Sequence, residues 1–180
     1  MKELEVKILN INIPEMEEKL KKLGAKLIEK ELQINTLIDT NDNFIENNLN
    51  AYMRIRETKS LLTGKTKLTL TMKKNISKDG IRENVEINTD ISDKKAMLDI
   101  LKSLGYIVKE EGFKERVSYE LNGVRFDIDK WDERTYPYPY MEIEVRDTSE
   151  LEKIIDILNI PKESISTKSI VELRREANLI

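Results

Sequence analysis

Residues 2–8, KELEVKI, place Glu3, Glu5 and Lys7 on one side of an extended chain and Leu4, Val6 and Ile8 on the other. Successive strand side chains point to opposite faces, so this alternation reads as a β-strand with one apolar and one charged face. The ordinary meaning of such a strand is a half-buried sheet whose polar face is in water. Whether that holds depends on what the rest of the chain sets beside the two carboxylates and the ammonium.

The same pattern recurs. AYMRIRE (51–57) carries Arg54 and Arg56, KTKLTLTMK (65–73) carries Lys65, Lys67, Thr69, Thr71 and Lys73, and NVEIN (84–88) carries Asn84 and Glu86. FKERVSYE (113–120) offers Lys114 and Arg116, VRFDID (124–129) offers Arg125, Asp127 and Asp129, and YMEIEVR (140–146) offers Glu142, Glu144 and Arg146. Helical segments lie between these strands. PEMEEKLKKLG has Pro14 in its first turn and stops at Gly24; SDKKAMLDILKSLG is capped by Ser92 or Asp93 and stops at Gly105; SELEKIIDILN begins near Thr148 or Ser149. Apolar residues at helical spacing, such as Leu98, Leu101 and Leu104, give each helix one core-facing stripe. Strands with occasional helices in this proportion predict an antiparallel-rich α+β fold.

Glu5 and Gly24 recur as Glu86 and Gly105, both 81 residues on, and Leu20/Leu101 and Leu23/Leu104 keep that register. This reads as a repeated unit of charged strand, helix, Leu-Gly stop and further strands, with YMEIEV and its helix as a looser third copy. No Pro/Gly-rich linker separates the halves, so residues 1–180 are expected to form a single domain with pseudo-repeat halves.

Composition narrows the chemistry. The chain has 180 residues, enough for one domain with a real core. No apolar stretch approaches a membrane span and no signal-peptide pattern opens the sequence, so a cytoplasmic location away from membranes is expected. Without cysteine or histidine there is no disulfide framework, no thiolate zinc site and neither the commonest metal ligand nor the commonest general base. Any metal must sit on oxygen ligands, which favours magnesium, manganese or calcium. Charged residues make up 36% of the chain yet the net charge is only −3, which argues against a nucleic-acid partner held by a broad basic face.

The charged faces decide between an open sheet and a closed one. If the sheet curls into a barrel with the helices over its apolar faces, the inside becomes a polar tunnel lined by both signs. The carboxylate pairs Glu3/Glu5 and Glu142/Glu144 could then bracket a divalent cation. Arginine at alternate strand positions offers fixed forks of donors suited to phosphate, and lysine adds point charge. Such an array needs compensation by a metal, a polyanion or water, because unpaired buried charge is costly.

With these residues in view, the chain resembles the CYTH superfamily, also called triphosphate tunnel metalloenzymes, which includes class IV adenylyl cyclases, thiamine triphosphatases and inorganic tripolyphosphatases. ELEVK is similar to the family's E-x-E-x-K signature, MRIRE to its arginine strand, LTLTMKK to its lysine strand and RENVE to its R-x-E-x-E strand. FKERVSYE is similar to the K-x-R strand, and FDIDKWDERTYPYPYMEIE to the late Asp and E-x-E strands. Each motif alone is weakly specific; their order and spacing together carry the resemblance.

The resemblance implies an eight-stranded antiparallel β-barrel, the triphosphate tunnel, with helices packed outside. It implies that Glu3, Glu5, Glu142 and Glu144, with Asp129 as a further member, hold Mg²⁺ or Mn²⁺, and that Glu3, Glu5 and Lys7 form the catalytic centre. Arg54, Arg56, Lys73, Arg82, Lys114 and Arg116, together with Lys7, would bind the triphosphate of tripolyphosphate, thiamine triphosphate or ATP. The implied reaction is hydrolysis, or cyclisation of ATP to cyclic AMP and pyrophosphate; a non-catalytic polyphosphate-binding module is the third reading, and a homodimer is implied as a partner. Two departures stand out. Asn84 replaces the first acid of R-x-E-x-E, and ERTYPYPY replaces a short glycine turn before the last E-x-E.

Other signals are explained more simply. LLTGKT (61–66) contains GKT, but Lys59 stands where a P-loop needs glycine and a strand follows. Trp131 is expected to pack at the barrel rim, Tyr136, Tyr138 and Tyr140 to form a stiff extended approach to the last strand, and Arg125 to pair with Asp127.

Overall fold

The computed structural model describes residues 2–77 and 82–180, with the side chains of all of these except 2, 3, 77, 82 and 148. Strands β1 (Lys2–Leu9), β2 (Lys26–Asp39), β3 (Ala51–Ser60), β4 (Thr66–Ser77), β5 (Arg82–Asp90), β6 (Ile107–Leu121), β7 (Val124–Trp131) and β8 (Tyr140–Val145) pair in the order β5-β4-β3-β2-β6-β7-β8-β1. Residues Lys2–Glu5 of β1 then pair antiparallel with Arg82–Val85 of β5, which closes the sheet into a barrel and removes its open edges. A two-residue strand, β9 (Ile165–Ser166), adds beside the end of β1.

Among the described residues five α-helices lie outside: α1 (Ile13–Lys22), α2 (Phe44–Leu49), α3 (Lys94–Ser103), α4 (Thr148–Leu158) and α5 (Ile170–Glu176). The first three long ones start where the sequence signals it. Asn12 caps α1 with Pro14 in its first turn, Asp93 caps α3, and Asp147 caps α4, each accepting a hydrogen bond from a backbone N–H of the first turn. Gly24 and Gly105, the stops 81 residues apart, both have positive φ (+85° and +89°), a conformation that glycine adopts at little cost.

Alternation sorts the residues as expected. Outward from β1, β7 and β8, Val6, Ile8, Phe126, Ile128, Met141 and Ile143 form the main core with Met16 and Leu20 of α1 and Leu151, Ile154 and Leu158 of α4. On the opposite side Ile38, Met53 and Ile55 pack with Ile45 of α2 and Leu101 of α3. A third cluster sits at one end of the barrel, where Tyr136 and Tyr140 meet Leu173 of α5, with Trp131 and Leu9 against them. GKT lies in the β3–β4 hairpin and runs straight into β4, so it is a turn and not a phosphate loop. Among the described residues no helix is long and apolar enough to cross a membrane.

Candidate functional site

With the apolar side chains turned outward, the charged ones meet inside, around a cavity of about 800 Å³ lined by residues of all eight barrel strands. That volume suits a small ligand and exceeds what the side chains of an eight-stranded barrel leave when they fill it.

Register decides who meets whom. On β1 and β8, Glu5 stands opposite Glu144 and Lys7 opposite Glu142. Lys7 Nζ lies 3.1 Å from Glu142 and 3.9 Å from Glu5. Lys73 of β4 reaches across to donate to Glu5 at 3.2 Å and sits 3.5 Å from Glu86, while Asn84 Nδ2 donates to the other Glu5 oxygen at 3.1 Å.

A second network joins β6 to β7. Lys114 donates to Asp129 at 2.8 Å, and Arg116 donates to both Asp129 oxygens at 2.6 Å, to Asp127 at 2.7 Å and to Glu142 at 2.7 Å. Ser118 and Arg125 complete Asp127, so the expected Arg125–Asp127 pair is present within a larger network. Burial alone would raise the pKa of Asp129, but Arg116 and Lys114 outweigh it and hold the carboxyl below its usual range. For Glu142 the same contest between burial and Lys7, Arg116 and Lys114 ends well below the ordinary value. Lys114 goes the other way. Burial, reinforced by Arg116, pushes it down to about 7, and its ammonium lies over the Trp131 ring at 5.2 Å.

The β3 wall is different. Arg54 and Arg56 face the cavity, but their neighbours in register are Leu37 and Asn35 on β2 and Thr71 and Thr69 on β4, all uncharged. Arg56 Nε donates to Asn35 at 2.8 Å, and Arg54 Nε is buried without a partner. Neither arginine forms an ion pair among the described residues. Burial and the neighbouring Arg54 and Arg116 lower the pKa of Arg56 to about 9, which leaves it charged at neutral pH. Asn35 Nδ2, Asn75 Oδ1 and Arg174 Nε are likewise buried, unpartnered and on residues that line the same cavity. Buried polar groups and cations in this condition are costly unless something meets them.

The expected site residues therefore divide. Glu5, Lys7, Arg54, Arg56, Lys73, Lys114, Arg116, Glu142 and Glu144 all line the one cavity. The side chains of Glu3 and Arg82 lie outside the described residues, although the backbone of Glu3 pairs with Asn84. Asp129 is not among the residues that line the cavity. It has no exposed surface, and both its oxygens accept from Lys114 and Arg116. Asn35 and Arg174 also line the cavity, outside the charged strand motifs. Nothing marked Asn35, a neutral residue on a strand with no charged stripe. Arg174 sits one turn into a helix announced by Ser169 and Glu172, a capping box that the structure forms.

The donors available to a cation are carboxylate oxygens, in a chain with neither histidine nor cysteine. Glu5, Glu142 and Glu144 stand on the adjacent strands β1 and β8, and that chemistry fits a hard divalent ion such as Mg²⁺ or Mn²⁺. Among the described residues no three carboxylates converge as a ready-made metal cage; lysine and arginine occupy Glu5 and Glu142 instead.

A CYTH domain model matches residues 1–170, almost the whole chain. The chain belongs to the CYTH family. Solved structures agree on the fold of this CYTH protein. The PH1012 protein of Pyrococcus horikoshii superposes with a TM-score of 0.76 at 24% identity, covering 95% of this chain and 98% of its own. The PH1819 protein of the same organism gives 0.78 at 24% identity, covering 97% and 99%. HpAC1 of Hippeastrum, an adenylyl cyclase by name with a dominant triphosphatase activity, gives 0.67 at 15% identity over 97% and 96%. No curated protein sequence matches the chain.

Proposed function

We propose that this CYTH protein is a divalent-metal-dependent hydrolase of a linear triphosphate, either tripolyphosphate or an organic triphosphate such as thiamine triphosphate. The supporting observation is the Arg54–Arg56 pair: two neighbouring cations that form no ion pair among the described residues, in a cavity whose opposite strands carry the carboxylates. A polyphosphate chain supplies the missing negative charge in a form that guanidinium forks match.

The residues take distinct roles in this reading. Arg54, Arg56, Lys73, Lys114 and Arg116, with Arg82, hold the phosphoryl oxygens. Glu5, Glu142 and Glu144, with Glu3, hold Mg²⁺ or Mn²⁺, which when bound supplies Lewis-acid neutralisation of the phosphoryl charge. Lys7, fixed by Glu142, brings an ammonium to the catalytic centre beside Glu3 and Glu5. We assign Asp129 to positioning Lys114 and Arg116 instead of ligating metal. Phosphoryl transfer asks mainly for orientation and charge stabilisation, so a site without histidine is adequate.

The test is a product assay on the purified chain with Mg²⁺ or Mn²⁺, offering tripolyphosphate, thiamine triphosphate and ATP separately. The expected result is orthophosphate release that stops when the metal is chelated. Cyclic AMP and pyrophosphate from ATP would replace the hydrolase by a cyclase on the same site, and binding without any product would reduce the protein to a polyphosphate-binding module.

A further inference from the structure

Arg174 has no place in the site as expected from the barrel motifs, and it lies beyond the residues matched by the family model. Its helix, α5, is nevertheless built to hold it. Ser169 and Glu172 form a reciprocal capping box at the helix start, and Leu173 is buried against Tyr136 and Tyr140 at the end of the barrel. The adjacent Arg175 is 56% exposed in its side chain and pairs with Glu46 of α2 at 2.6 Å. Arg174 is only 6% exposed there, lines the tunnel cavity and meets Glu110 of β6 through one terminal nitrogen. Its Nε is buried with no partner.

A buried guanidinium with an unmet donor is expensive, and one partly exposed carboxylate is a weak competitor for it. The same condition marks Arg54 in the same cavity. We propose that Arg174 is an anion ligand of the tunnel, delivered by the C-terminal helix to take an end phosphate of a linear polyphosphate. This rests on the reading of the tunnel as a triphosphate site, and it makes α5 part of the binding machinery. Recognition of chain length would then come partly from outside the barrel, since only an anion reaching the α5 end engages Arg174.

The experiment is calorimetric titration of the full chain with inorganic tripolyphosphate, in chelator, for wild type and variants. Arg174→Gln is expected to weaken binding by about ten- to a hundredfold, the usual worth of a hydrogen bond to a charged group. Arg174→Lys should recover part of that, and the surface control Lys22→Gln on α1, outside the cavity, should stay within about twofold. If Arg174→Gln binds as wild type while Arg54→Gln binds poorly, Arg174 is not a ligand and the tunnel reading stands. If Arg54→Gln also binds as wild type, the tunnel reading itself fails and takes this proposal with it. Should Arg174→Gln not fold, amide exchange in wild type decides: residues 170–176 must exchange more slowly with tripolyphosphate bound, and unchanged exchange there overturns the proposal.

Discussion

Replacing Glu5 by Gln is expected to lower metal-dependent turnover by about a thousandfold while leaving the fold intact. The size follows if, as proposed, Glu5 is a charged ligand of a metal that contributes several kcal/mol to the transition state. The fold survives because the partners of Glu5 keep alternatives. Lys73 retains Glu86 at 3.5 Å, and the Asn84 amide still finds an acceptor in the glutamine carbonyl. Tripolyphosphate binding without metal should therefore change little. Parallel measurements of turnover, melting temperature and metal-free affinity separate these effects, and turnover near the wild-type value would remove Glu5 from the catalytic centre.

Asp129→Asn should show the opposite pattern, a loss of stability before any loss of chemistry. Asparagine keeps the shape but removes the charge that Lys114 and Arg116 share. Arg116 keeps Asp127 and Glu142, whereas Lys114 is left buried beside Arg116 with no other carboxylate partner among the described residues. Breaking a buried pair typically costs about 3–5 kcal/mol, and in a chain of this size that lowers the melting temperature by roughly 10 °C. The pH dependence has a definite sign. Because the folded pKa of Asp129 is depressed, its stabilisation is complete above the unfolded value of about 4 and is lost as pH falls below it. Wild type should lose melting temperature on acidification through that range, and the variant should lose less. A variant that melts with wild type would show that Asp129 does not hold the network together.

Much of this architecture is legible in the sequence because strand alternation is local. Seven of the eight barrel strands announce themselves by a charged or polar stripe opposite an apolar one. β2 does not, since its inward residues include the neutral Gln33 and Asn35 and the apolar Leu37, and its first residues are wet on both faces. The short helices escape for a related reason. α2 has six residues and an uncapped left-handed Asn43 before it, and its Ile45 and Glu46 N–H groups donate to the carboxylate of Asp39, which belongs to the preceding strand. Alternation also tells which charges face inward without telling which of them touch, because contact depends on register between distant segments. So the cations and carboxylates of the tunnel could be named from the chain, while the capture of Asp129 by Lys114 and Arg116 and the uncharged strand neighbours of Arg54 and Arg56 could not. The departure at Asn84 also gains a physical meaning from the fold. Fully buried, its amide gives Glu5 a neutral donor at a strand position where an acid would have added repulsion.

In this proposal Arg54 and Arg56 of β3, which form no ion pair among the described residues, take a linear triphosphate as their counter-charge. The most direct measurement is calorimetric titration of the metal-free protein with orthophosphate, pyrophosphate and tripolyphosphate at one ionic strength. Affinity should rise steeply along the series and fall by about tenfold or more for tripolyphosphate in Arg56→Gln. Equal, weak binding of all three anions, unaffected by that substitution, would contradict it.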